Sequence, residues 1–224
     1  YNEIYVQSYS NEMYYYYGYE PDVMDFAGEN KLTTAIDYVD SESIPTVYMI
    51  SGHGEKTFTD AVKKMFSEEN IDLKDLSLIT VDAVPQDASC VIINAPESDI
   101  SEEEYKMITE YADAGGNIIL TTSYTNSSLE NITKIASMYG TEPIDGVVVE
   151  GDSNYHYTGY NYFLLPDINE HEITEPFAGE YYALAPVCHG IKISEGTDGS
   201  ARTTELLTTS ASAFVKDINA PESL

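Results

Sequence analysis

An imidazole and a carboxylate, His53 and Glu55, alternate with glycines in the run Ser51-Gly52-His53-Gly54-Glu55, where a short apolar stretch stops and a helical pattern begins. Glycines let a chain turn tightly and let its backbone approach another group closely, and a following helix aims free N–H groups and the positive end of its dipole at the same place. Such a turn can hold an anion or the carboxylate of a partner. The same residues also suit a plain bend, with His53 and Glu55 bonded to the local backbone, because the full phosphate-loop spacing is absent. Replacement of His53 separates the two readings: a binding turn keeps its melting temperature and loses assembly or transport, whereas in a plain bend His53 is buried and its removal mainly unfolds the domain.

The other chemically suggestive groups are weaker. Cys188 and His189 are adjacent, and neighbours in an extended chain point to opposite faces, a poor geometry for a thiol–imidazole dyad. His53 with Glu55 supplies two donors for a metal, yet His156, His171 and His189 are scattered and no third ligand stands at a recognisable spacing. No metal, cofactor or catalytic residue is therefore assigned. The acidic run Glu102-Glu103-Glu104 fits the first turn of a helix, where negative charge favours the dipole. Tyr155, Tyr157, Tyr160, Tyr162 and Phe163 suit either a stacking platform for sugars or peptides or rings packed over a sheet edge.

The elements that must position these groups alternate. Leu32, Ala35, Ile36 and Val39 recur at helical spacing, and Pro45 opens a strand over Thr46 to Ile50. Thr57 with Asp60 reads as a capping box for a helix carrying Phe58, Val62, Met65 and Phe66 and ending near Asn70. Strands are expected at Leu76 to Val81 and Cys90 to Ala95. Pro96-Glu97-Ser98 then leads to Ser101, which with Glu104 forms a second capping box, and Gly115-Gly116 stops the helix it opens. Asn117 to Thr122 reads as a strand, Leu129 to Tyr139 as a helix closed by Gly140, and Val147 to Glu150 as a further strand. Alternation of this kind predicts an α/β fold with a mainly parallel sheet covered by helices on both faces. Residues 1–27 form an aromatic, β-rich extension with a hairpin or edge strands over Tyr1 to Glu20, residues 28–218 the α/β domain with an irregular, loop-rich part at 152–200, and residues 219–224 a tail.

With 224 residues the chain is long enough for a substantial core, and its 39 Asp and Glu against 10 Lys and Arg give a formal charge of −29. That field repels nucleic-acid backbones and anionic membrane surfaces. Apolar runs such as Cys90 to Ile93 are far shorter than a spanning helix requires. The chain begins at Tyr1 and not at Met, which reads as a piece of a longer protein, so missing targeting segments carry no information on compartment.

Five stretches in order, GENKLTTAIDYV (Gly28 to Val39), VYMISGHGE (Val47 to Glu55), VPQDASCVIINAP (Val84 to Pro96), YADAGGNIIL (Tyr111 to Leu120) and LLTTSASAF (Leu206 to Phe214), resemble the GldG-like family of gliding-motility and ABC-type transport system proteins. The resemblance covers most of the chain from Gly28 onward. It implies a bacterial accessory subunit, an extracytoplasmic domain tethered to the cell membrane by helices outside this sequence, beside an ABC permease and ATPase. It also implies a three-layer fold similar to class I glutamine amidotransferases, a flavodoxin-like arrangement. Those enzymes place a Cys on a strand-to-helix elbow, whereas neither Cys90 nor Cys188 stands in a Gly-x-Cys-x-Gly turn.

The expected function is thus a non-enzymatic domain that binds a partner protein or envelope ligand, the alternative being a hydrolase or amidotransferase-like enzyme in the same crevice. Open α/β sheets place their crevices at the carboxyl ends of the strands. That puts the expected site on the loops Ser51 to Glu55, Asn94 to Glu97 and Thr122 to Thr125: Ser51, Gly52, His53, Gly54, Glu55, Asn94, Pro96, Glu97 and Ser123.

Overall fold

The computed structural model describes residues 5–7, 24–26, 28–41, 43–123, 127–177, 179, 181–193 and 202–217, with the backbone alone for 5–31. Strand β1 (Tyr5–Gln7) pairs antiparallel with β2 (Met24–Phe26). The rest of the expected Tyr1 to Glu20 hairpin, and the 219–224 tail, lie outside the described residues. Helix α1 (Gly28–Asp40) follows, and Leu32, Ile36 and Val39 of its apolar stripe are exposed.

Strands β3 (Thr46–Ile50), β4 (Asp72–Leu76), β5 (Ala88–Asn94) and β6 (Ile118–Thr121) form one parallel sheet in the order β4-β3-β5-β6. Every residue of β3 is buried, as a central strand covered on both faces must be. On one face Tyr48, Ile50, Val91 and Ile93 pack with Ile108 of α3 (Glu102–Asp113) and Ile132 and Ile135 of α4 (Glu130–Met138). On the other, Val47, Met49 and Ile92 meet Phe58 and Phe66, the latter on α2 (Asp60–Glu68). The strands expected at 46–50, 90–95 and 117–122 therefore share one parallel sheet with helices on both faces.

Three boundaries differ from the sequence reading. The strand expected at Leu76 to Val81 lies earlier, at β4, and Leu78–Thr80 is a 3-10 turn that plants buried Leu78 beneath the sheet. β4 reads Asp-Leu-Lys-Asp-Leu, charged because an edge strand guards its open side with charge, and so it lacks the apolar run that marks its neighbours. The cap of α2 is Thr59, whose hydroxyl accepts from the Val62 amide at 3.4 Å, in place of the Thr57–Asp60 box. The strand expected at Val147 to Glu150 is β8 (Val147–Val149), which pairs antiparallel with β15 (Phe214–Lys216) instead of extending the parallel sheet.

Beyond α4 the pairings are all antiparallel. β7 (Thr141–Ile144) pairs with β13 (Gly190–Ile193), and β9 (His156–Tyr157) with β10 (Tyr160–Leu164), which also meets β12 (Ala185–Pro186). β11 (Asp167–Ile168) pairs with β14 (Leu207–Thr208). Buried Glu150 ties the end of β8 to the C-terminal segment. Its carboxylate accepts from the amides of Gly151 at 2.9 Å, Asp152 at 3.0 Å and Ser210 at 3.1 Å, and from the Ser210 hydroxyl. Burial pushes this carboxyl up, but the hydrogen bonds outweigh it and hold it below the usual range.

Candidate functional site

β3 delivers Ser51 to the carboxyl edge of the sheet, where its amide donates to the Leu76 carbonyl at 3.0 Å. The chain then turns through Gly52 (φ +128°) and Gly54 (φ +78°), conformations that side chains rarely tolerate. A Cβ on Gly54 would stand 3.0 Å from Cβ of Glu97, so this glycine is also what lets the β3 and β5 loops touch.

They are sewn together. The amides of Glu97 and Ser98 donate to the His53 carbonyl at 2.9 and 3.0 Å. The Lys56 amide donates to the Asn94 carbonyl at 2.8 Å, and the Asn94 side-chain amide returns a bond to the Lys56 carbonyl at 2.6 Å. Asn94 also accepts from the Thr121 hydroxyl at 2.7 Å, which extends the seam to β6. Lys56 pairs with Glu97 across the surface, and Pro96 is fully buried beneath it. Between them Ala95 holds a left-handed φ of +49°, a strain that persists only where surrounding bonds over-determine the backbone.

His53 lies at the centre, 8% exposed. Its Nδ1 is 3.2 Å from Oε1 of Glu55, whose Oε2 accepts from the His53 amide at 2.8 Å. Its Nε2 is 3.1 Å from Oε2 of Glu104, 4% exposed. Each ring nitrogen therefore has a carboxylate oxygen within hydrogen-bond distance, one from the same turn and one from α3. Glu104 has a second task, accepting from the Ser101 amide at 2.8 Å while its own amide donates to the Ser101 hydroxyl at 3.2 Å. The capping box expected at Ser101 and Glu104 is thus formed, and its carboxylate is also the lid on His53. Burial pushes the Glu104 carboxyl up, yet the bonds from Ser101 and the proximity of His53 leave it below the usual range. Its Oε1 is buried with no hydrogen-bond partner among the described residues.

Of the expected site residues, Ser51 to Glu55 and Asn94 to Glu97 are brought together, and the contact between them is this seam. The burial of His53 is what the bend reading requires. Ser123 stands apart, lining two cavities of about 590 and 870 Å³ beside β6. Tyr124 and Thr125 lie outside the described residues. Sequence reasoning missed the role of Glu104 toward His53, 51 residues away, because only the strand order brings them together. It also missed the cavity walls Pro143, Val187 and Ile191, which belong to the antiparallel part.

The remaining candidates separate likewise. Cys90 and Cys188 are both free thiols, and burial pushes each thiol up, away from the reactive thiolate. Burial also lowers His189, with Asp145 opposing. Tyr160, Tyr162 and Phe163 form a ring cluster with centroids 5.2 to 6.1 Å apart. Among the described residues no three His, Cys, Asp or Glu side chains gather as a metal site, and no helix is long and apolar enough to cross a membrane.

No protein-family model and no curated protein matches the chain. A solved structure described as "mmIFT52 N-terminal domain" is similar in fold, with a TM-score of 0.58 and 16% identity over 75% of this chain and 74% of that one. At that identity the likeness shows the fold alone.

Proposed function

We propose that this chain is a non-enzymatic, extracytoplasmic binding domain of an ABC-transporter-associated membrane protein of the GldG-like kind, on a three-layer scaffold similar to class I glutamine amidotransferases. It takes a partner protein, such as a permease or ATPase companion, or an envelope ligand. The ordered sequence blocks support the family, and the parallel sheet with helices on both faces supports the scaffold.

The observation that carries binding over catalysis is the engagement of His53. A general base must present a nitrogen to a nucleophile or substrate. Here both nitrogens face carboxylates in a buried joint, while the open space lies beside β6.

The test is copurification of the full-length, membrane-anchored protein from its native cell. An ABC permease and ATPase retained through washing supports the reading. Their absence, or a hydrolase or amidotransferase activity abolished by Cys188→Ser in a folded protein, rejects it.

A further inference from the structure

β6 ends the strand order of the parallel sheet, and among the described residues no strand pairs with its outer edge. Successive residues of a parallel strand aim their backbone polar groups at opposite edges. The Asn117 carbonyl accepts from the Val91 amide at 2.9 Å and the Thr121 carbonyl from the Ala95 amide at 3.0 Å, so the odd-numbered residues face β5. The N–H and C=O of Ile118 and Leu120 accordingly point away from the sheet, and no described strand pairs with them there.

A groove of about 870 Å³ runs along this edge. Asn117, Leu120 and Ser123 line it along β6, and Pro143, Val187 and Ile191 face them. Val187 and Ile191 are more than half exposed, at 56% and 67%. At about 3.3 Å per residue, β6 matches an extended segment of roughly four residues. The adjoining cavity shares Thr122, Ser123, Pro143 and His189 and adds Glu130, Asp145 and Lys134, whose charge is met by Glu102 at 3.6 Å, within a chain of formal charge −29. This rim selects Lys or Arg on the incoming segment and disfavours acidic ones.

We propose that the groove receives an extended, basic segment of a partner protein, which adds to the free edge of β6 as a further strand. The proposal rests on the binding-domain reading and names its site and partner chemistry. Main-chain bonds to Ile118 and Leu120 supply affinity, and alternate side chains seated against Val187 and Ile191 supply selectivity.

A displayed library of short random peptides, selected against the purified chain, is the probe. Enriched peptides should alternate apolar residues and carry Lys or Arg, and their binding should slow hydrogen exchange at the Ile118 and Leu120 amides. N-methylation of the peptide's sheet-facing amides should weaken binding about tenfold, the loss expected for one or two hydrogen bonds. Asp145→Lys should weaken it by up to about fivefold, as for an exposed ion pair. Enrichment of acidic peptides or of none, unchanged exchange at both amides, or indifference to N-methylation overturns the proposal. Protection of the same amides by self-association without peptide also overturns it, in favour of a second copy as the occupant. Failure here with successful copurification of permease and ATPase rejects strand addition alone, whereas failure of copurification rejects the parent reading.

Discussion

The carboxyl ends of β3 and β5 and the outer flank of β6 belong to one sheet, yet the first region is closed and the second open. At β3 and β5, glycines, a histidine, glutamates and an asparagine spend their polar atoms on each other and weld two loops. At β6, ordinary Ile, Leu and Thr residues leave backbone groups and an apolar groove available. The imidazole and carboxylates of the glycine turn are thus used for cohesion, whereas the free surface is bordered by apolar and small polar residues together with Cys188 and His189. A polar group buried in a joint is costly unless partnered, and among the described residues of this one Oε1 of Glu104 is the buried side-chain atom left without a hydrogen bond.

The sharpest break in this contrast is Glu104→Ala. It removes the acceptor of the Ser101 amide and leaves the Nε2 side of His53 unpaired, so a loss of about 3 kcal/mol in urea unfolding is expected. A loss well under 1 kcal/mol would mean the joint is not cohesive. Next comes Gly54→Ala, which meets both the positive φ and Glu97; about 1 to 2 kcal/mol is expected by the same measurement.

Acid should weaken the chain in two stages. His189 is lowered by burial from an ordinary 6.5, so below that value the unfolded chain takes up a proton that the folded one refuses. Glu104 and Glu150 are held below an ordinary 4.5, so their contribution is complete above 4.5 and is lost as the pH falls through the lowered folded values. Urea midpoints measured across this range should decline from about pH 6.5 and more steeply below about 4.5. A flat profile would contradict the burial of His189 and the bonding of both glutamates. The smallest effect is expected at Ile119, half exposed on the face of β6 turned away from α3 and α4: Ile119→Thr should change stability by less than about 0.5 kcal/mol and leave peptide binding unchanged.

The parallel core was readable because β3, β5 and β6 are apolar runs followed by helical stripes, and the Ser101–Glu104 box announces α3 in four residues. β4 was not, since its charges suit an edge and mimic a loop. The β8–β15 pair joins residues more than sixty apart and has no local signature, and neither does the meeting of His53 with Glu104. The turn itself was legible as a special backbone. Its purpose was not, because glycine, histidine and glutamate serve a ligand or a joint equally well until burial is known.

The welded joint is tested most directly by a double-mutant cycle in urea unfolding with His53→Ala, Glu104→Ala and both together. Groups that share one buried contact should show a coupling of about 1 to 3 kcal/mol, with the double variant far less destabilised than the sum of the singles. Additive losses would show that the two groups do not share a joint, and a His53→Ala variant as stable as the parent chain that nonetheless fails to assemble with the proposed partners would show that the turn is a binding site.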